Sequence, residues 1–504
     1  MTCFALLSLC LPLAACPTQD KEPAERPGFL SFEEGDPELE RGLRTRLPGL
    51  DDGFIFIAPL NGTQTHLVDR AGEIRHTWQH ANSPASGSYL MDDGRLLRCG
   101  RVDDDPRFRG GGIGGLLEIL APTGEVLWSW RYADQNRHHH HDVEPLPNGN
   151  ILLIAWERIS DIEALRHGRD KHQVGKAGLW SDVVLEVQPV PPNQAKIVWE
   201  WRAWDHVVQD ANPDRKRFGY PADHPGRFDI NVDHRDEPPL DAGQRAALSA
   251  RDEGMAALGY VGGAEEPTDE ELSALDRSGD WMHTNGIAYH AETELILLSS
   301  PELNEIYIID HSTTTEQAKG ASGGRWGRGG EVLWRWGNPR NYGAGSNGDR
   351  RLWYQHNPTF LTGPEGELRV LVFNNGSGRP GKSFSSVEEL VLPFDSKTGF
   401  FRESGQPFGP KELAWSYQDP NAFYSAFISG CQRLSNGHTL VCSGAAGRAF
   451  EIDAAGKLVW DFFSPFGGDV TPPDHAGKAP PLALFRAEHV PANHPGLRHL
   501  KLGE

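Results

Sequence analysis

The chain has 504 residues, with 57 Gly, 37 Pro, 15 Trp and a formal charge of −21. That acidity excludes long-range attraction to nucleic acid or to an anionic membrane, but leaves small anionic substrates open, since a pocket can be cationic inside an acidic protein. Glycine and proline punctuate short Val/Ile/Leu/Trp runs rather than forming low-complexity tracts, so the composition predicts a turn-rich all-β fold.

At the N-terminus, Phe4 to Ala15 is apolar and too short to span a bilayer, as in an export signal. Leu13-Ala14-Ala15-Cys16 matches a bacterial lipobox, which predicts a signal over 1–16 and lipidation of Cys16. The first residues lack the Lys or Arg such signals usually carry. The expectation is an exported lipoprotein, periplasmic or at the cell surface, touching the membrane only through its lipid. Pro17 to Leu50 is charged and Pro-rich and reads as a flexible tether to a domain over 51–504.

From residue 51 onward a unit recurs. Its tail is Gly, three residues, then Trp: Gly124 to Trp128, Gly330 to Trp334 and Gly456 to Trp460. Looser versions end at Trp78, Trp199 and Trp415. An inner hairpin with its own turn precedes the tail, at Asp93-Gly94, Asn148-Gly149 or Asn436-Gly437. Six units result, at 54–78, 88–130, 141–201, 283–336, 356–417 and 427–462. Their spacing predicts a six-bladed β-propeller, with the short first blade completed by Leu484 to Val490. Residues 205–279 break the pattern between blades 3 and 4, with helices expected over Leu240 to Leu258 and Asp269 to Leu275. An insertion of that length is expected to be a lid, a wall of a site or a surface excursion.

Three cysteines follow Cys16. Cys431 and Cys442 flank Asn436-Gly437, and a two-residue hairpin there sets them opposite each other. A disulfide and two buried thiols both stay open, because that pairing has the wider Cα spacing.

Histidines carry the functional signal. His141, His283 and His356 each open an apolar strand at the same point of the repeat. In a radial repeat one such position converges on the axis, so the three are expected at one channel mouth. His138 and His139 read as part of a solvated turn. Three converging imidazoles allow either a divalent metal or nucleophilic and proton-transfer chemistry. No acidic residue stands at metal-site spacing from them, so no metal is assigned.

Asp280 to Asn285, Gln355-His356-Asn357, Phe373 to Gly376 and His140-His141-Asp142 together resemble the signatures of bacterial arylsulfate sulfotransferases. Similarity to one branch extends to Trp204-Asp205-His206, Ile309 to Thr315 and Arg335 to Pro339. The resemblance spans about 85 to 490. It implies a six-bladed propeller that moves a sulfuryl group from a phenolic sulfate ester to a phenolic acceptor. No cofactor and no nucleotide sulfate donor (PAPS) are implied, and the route passes through a sulfated histidine. His356 occupies the implied nucleophile's position; His283 and His141 match the histidines that hold the sulfuryl oxygens and assist the leaving phenol. Asn285, Asn357 and Asn375 are implied as substrate contacts. The arginine implied after the paired serines is absent, since Pro301 follows Ser299-Ser300. Arg325, Arg379 and Arg448 are the candidates to replace it. The rival readings are a non-catalytic surface propeller that binds a ligand or protein, and a metal-dependent hydrolase or lyase using the same histidines.

Overall fold

The computed structural model describes residues 41–102, 108, 110–175, 178–232, 241–257, 279–467 and 482–503. Its strands form six antiparallel sheets, five of four strands and one of five, and two further strand pairs. The inner strands of the six sheets are, in ring order, Leu484–Pro491, Pro84–Leu90, Arg137–Pro145, Gly286–His290, His356–Thr362 and Gly430–Arg433. Each packs beside the next and the last returns to the first, which closes a six-bladed β-propeller. Closure joins the two ends of the described chain: Leu484–Pro491 pairs with Gly53–Pro59, setting Phe54 opposite Val490.

The glue is apolar and lies between blades. Leu298 and Ile296 of blade 4 meet Leu152 and Ile154 of blade 3. On the other face of the same strand, Leu295 and Leu297 meet Val370 and Val372 of blade 5. Alternation along each strand therefore serves two interfaces, one per face. Fully burying one such side chain stabilises by about 1.5–3 kcal/mol. The tail tryptophans add directional links to the following blade. Trp128 Nε1 donates to Gln194 O (2.7 Å), Trp334 Nε1 to Gly409 O (2.7 Å) and Trp460 Nε1 to Arg70 O (3.0 Å). Trp199 Nε1 reaches Thr313 Oγ1 at 3.2 Å. The repeat seen in sequence is thus the repeat of a blade-to-blade contact.

Two expectations are revised. Gly42–Arg46 falls within the expected tether, yet it forms a strand that pairs with Leu458–Phe463 and makes blade 6 five-stranded. The signal, Cys16 and the tether to residue 40 lie outside the described residues, as does the helix expected at Asp269 to Leu275. Within the insertion, Val207, Phe228 and Ile230 are buried in the core between blades 3 and 4. The expected first helix is present as Ala242–Ala257. Finally, the Asn436-Gly437 turn is longer than two residues: Gly437 N bonds Leu434 O at 3.0 Å, and Leu434 N bonds His438 O at 2.9 Å. The register slips by one, so Cys431 faces Val441 and Cys442 faces Gly430. One residue of slip turns a side chain to the other face. Cys431 packs toward blade 5, Cys442 toward blade 1, and both are free thiols.

Candidate active site

His283 precedes the inner strand of blade 4 and His356 opens that of blade 5, but His141, expected to open its strand, lies inside Arg137–Pro145 where the pairing shifts register; unusual backbone marks these positions. His141 and His283 both have φ of 54°, Tyr354 has 55°, Asn357 48° and Ile428 49°. Left-handed conformations are rare for non-glycine residues and persist where the surroundings over-determine them. His141 and His283 thus share one backbone position, whereas His356 sits between two left-handed residues.

The three rings converge. His141 and His283 lie edge to face with centroids 4.6 Å apart. Phe485, the second residue of the closing strand, lies 6.3 Å from His141 and 6.4 Å from His356. Gly112 permits the packing on the opposite side of His141, because a Cβ there would fall 2.3 Å from the ring.

His356 is held in one tautomer. Its Nδ1 faces two acceptors, Asn375 Oδ1 at 2.7 Å and the Tyr354 carbonyl at 3.1 Å. Asn375 is itself oriented, since its Nδ2 donates to Ser425 O (2.8 Å) and Ile428 O (2.9 Å). Nδ1 therefore carries the proton and Nε2 carries the lone pair. Nε2 makes no hydrogen bond among the described residues. Burial pulls the His356 pKa down to about 4, so the ring is neutral at neutral pH.

His283 has the opposite character. Burial lowers its pKa, but the Asp280 carboxylate bonded to its Nδ1 outweighs this and holds the imidazole above its ordinary value. Asp280 is fixed from behind by Trp156 Nε1 at 3.2 Å. His141 and His140 are kept neutral by burial. They are joined Nδ1 to Nδ1 at 2.8 Å, and His140 Nε2 lies 3.3 Å from Asp182 Oδ1. Burial raises the Asp182 carboxyl to about 6. A neutral His356 thus shares the site with His283, whose protonated form Asp280 favours, and His140 and Asp182 stand behind His141.

The expected contact residues divide. Asn375 orients the His356 ring. Asn285 donates its amide to Gln355 O at 2.9 Å, bracing the residue before His356. Asn357 Oδ1 accepts from Cys431 N at 2.9 Å and ties blade 5 to blade 6. Both bonds cross between neighbouring blades and brace the backbone around His356. Arg325 is a correction: it bonds Glu292 O at 2.8 Å, at the turn on the far end of blade 4. Arg448 is another, locked to Asp461 at 2.7 Å within blade 6. Arg379 is sandwiched by Trp353 and Phe384, 4.7 and 4.1 Å from their rings, and bonds Ser386. His138 and His139 are also corrected. Both are fully buried in the inner strand of blade 3, His139 Nδ1 accepting from Gly115 N at 3.2 Å. A run of four polar residues looks solvated in sequence, but this strand is covered on both faces.

Sequence reasoning missed Arg251, Glu302, Tyr354 and Phe485. Glu302 is exposed at its surface, and crowding by the surrounding protein raises its carboxyl pKa. Phe485 was legible only as part of the closing strand. Arg251 carried no signal, because nothing in the sequence shows where an inserted helix docks.

A family model described as Arylsulfotransferase (ASST) matches residues 43–460. The chain belongs to the arylsulfotransferase family. Membership brings aryl sulfotransferase activity in general terms, with an aryl sulfate donor and an acceptor as substrates. No curated protein matches this arylsulfotransferase. Among solved structures, a protein of unknown function from Bacteroides caccae is 11% identical, with 83% of this chain and 96% of that one covered at a TM-score of 0.39. A putative 6-phosphogluconolactonase from Bacteroides fragilis is 8% identical, with 87% and 98% covered at 0.37. Virginiamycin B lyase from Staphylococcus aureus is 8% identical, with 85% and 90% covered at 0.33. At such scores these similarities say nothing about what this chain does.

Proposed function

We propose that this arylsulfotransferase moves a sulfuryl group between phenolic compounds through a sulfated His356. The observation that carries the reading is the fixed tautomer: Nδ1 is tied to Asn375 and Tyr354, and Nε2 has a free lone pair. Nε2 attacks the sulfur of an aryl sulfate, and the sulfur–aryl oxygen bond breaks. The departing phenolate takes the proton of His283, whose charge Asp280 sustains. The acceptor phenol then loses its proton to the now neutral His283 or to His141. Its oxygen attacks sulfur, and His356 is released with its lone pair. Neutral imidazole is a competent nucleophile, and oriented donors offset charge that develops on the departing oxygen.

The metal-dependent rival finds less support. Among the described residues no group of three or more His, Cys, Asp or Glu is arranged to hold a metal ion. The binding-only rival does not call for a nucleophile set beside an acid. The test is mass spectrometry of enzyme quenched with an aryl sulfate and no acceptor. A sulfuryl adduct on the His356 peptide is expected, and donor turnover without that adduct would sink the covalent route. We further propose that the chain is exported and anchored by lipid on Cys16, supported by the run Leu13 to Cys16. Fatty-acid labelling should then be lost in Cys16→Ser.

A further inference from the structure

The insertion helix Ala242–Ala257 lies against the channel mouth along one stripe of side chains. Gln244, Leu248, Arg251 and Met255 recur at helical spacing and so share a face. Gln244 Nε2 donates to Gly378 O at 2.9 Å. Leu248 sits over Gly378, where an added Cβ would meet it at 3.4 Å. Met255 packs on the cluster of Ile428, Ala483 and Phe485, and Phe485 is the ring between His141 and His356. The helix therefore runs from the rim of blade 5 toward the catalytic histidines.

Arg251 is the charged member of that stripe. Its guanidinium carbon lies 3.9 Å from the Tyr354 ring centroid, and the Tyr354 carbonyl is one of the two acceptors of His356 Nδ1. Two cationic groups act on His356, namely His283 and Arg251. The carboxylate in contact with Arg251 is Asp252, at 2.7 Å on the same helix and 59% exposed. Arg251 itself is only 13% exposed, so the solvated partner is the carboxylate, and a carboxylate so hydrated competes poorly with a desolvated anion. Glu302 faces Arg251 from the blade 4 turn. It sets a second charge next to the guanidinium without a direct ion pair among the described residues. A sulfuryl group offers three oxygens in a fixed array, which suits the planar donor fork of arginine better than a point charge.

We propose that Arg251 binds the sulfuryl oxygens of the donor, so that the insertion supplies the permanent cation of the site and is one of its walls. This rests on the transfer reading above. It makes Arg251 a substrate-binding residue that reaches the site from outside the propeller repeat. The aryl ring of the donor then lies against Tyr354 and Phe485, which flank the guanidinium and the histidines.

Two measurements test the assignment. In Arg251→Met, kcat/KM for an aryl sulfate should fall about 100- to 1000-fold, the usual effect of removing one such donor. Free guanidinium should restore part of the loss, and Arg251→Lys should fall between the variant and the wild type. A kcat/KM within threefold of wild type overturns the proposal, as does a loss that neither guanidinium nor lysine relieves. The second measurement needs no variant: an arginine-specific dicarbonyl reagent is applied to wild-type enzyme with and without the aryl sulfate. Protection of the Arg251 peptide supports binding, and equal modification overturns it. Failure of the wild type to turn over any aryl sulfate would sink the transfer reading itself. The protection assay then still decides whether Arg251 holds the anion.

Discussion

Asn375 Oδ1 accepts the Nδ1 proton of His356 at 2.7 Å, and the asparagine is anchored by two backbone carbonyls of its own. An amide in this place orients the ring without charging it. A carboxylate would orient it and also favour the imidazolium. Asn375→Asp should therefore raise the His356 pKa by about 1 to 3 units, as an opposite charge at this range does. The acid limb of kcat/KM should move up by the same interval. An unmoved limb would mean that His356 does not set it.

The wild-type pH profile follows from two shifts of opposite sign. In the proposed transfer His356 must be neutral to attack, and burial has lowered its pKa to about 4. Activity is thus present above that value and lost as pH falls through it, well below the 6.5 of an ordinary histidine. In the same proposal His283 must be protonated to assist the phenolate. Asp280 has raised its pKa against the effect of burial, so that activity is present below the raised value and lost as pH rises through it. The expected profile is a plateau reaching from below pH 5 to above 6.5. Steady-state rates across pH 3.5 to 9 with one donor check it, and a rise centred near 6.5 would contradict the neutral-nucleophile assignment.

Cys431 and Cys442 give a prediction about the fold. They face different blades, and burial raises both thiols, Cys442 to about 12. Cys99, likewise buried, behaves the same way. All three should resist an alkylating reagent in the native protein and react fully after unfolding without reductant. A native mass two hydrogens light, lost on reduction, would mean that the register in blade 6 differs.

What was legible in the sequence was whatever repeats. The Gly-to-Trp tails marked the blades because each tail tryptophan bonds the next blade, and the histidines marked the mouth because strand starts share an axis. The closing strand at Leu484 was legible because blade 1 lacked a partner. Features set by unrepeated contacts were not. Asn285 and Asn357 read as substrate contacts, and their bracing of backbone across blades is something no local pattern encodes. Arg325 sits near the right strands in sequence, yet its loop folds to the opposite end of the blade. The turn at Asn436 misled by a single residue, and in a strand one residue is a whole face.

Asp280 yields the sharpest test of roles within the histidine cluster. It bonds His283 Nδ1, sustains the charge on that ring, and is held in turn by Trp156. Asp280→Asn keeps a group of similar shape and removes the charge, so the His283 pKa should drop and the basic limb should move to lower pH. The loss in rate should depend on the donor. A phenolate that is stable in water, such as a nitrophenolate, leaves with little help from an acid. An unactivated phenol needs the proton as the bond to sulfur breaks. General acid assistance contributes about 100- to 10,000-fold where it is needed. Asp280→Asn should therefore lower kcat/KM by that order for unactivated aryl sulfates, and far less for nitrophenyl sulfate. Rates plotted against the leaving phenol's pKa should steepen in the variant. A parallel line, lower by one constant factor for every donor, would mean that Asp280 and His283 act on the sulfuryl group or on the fold rather than on the leaving oxygen.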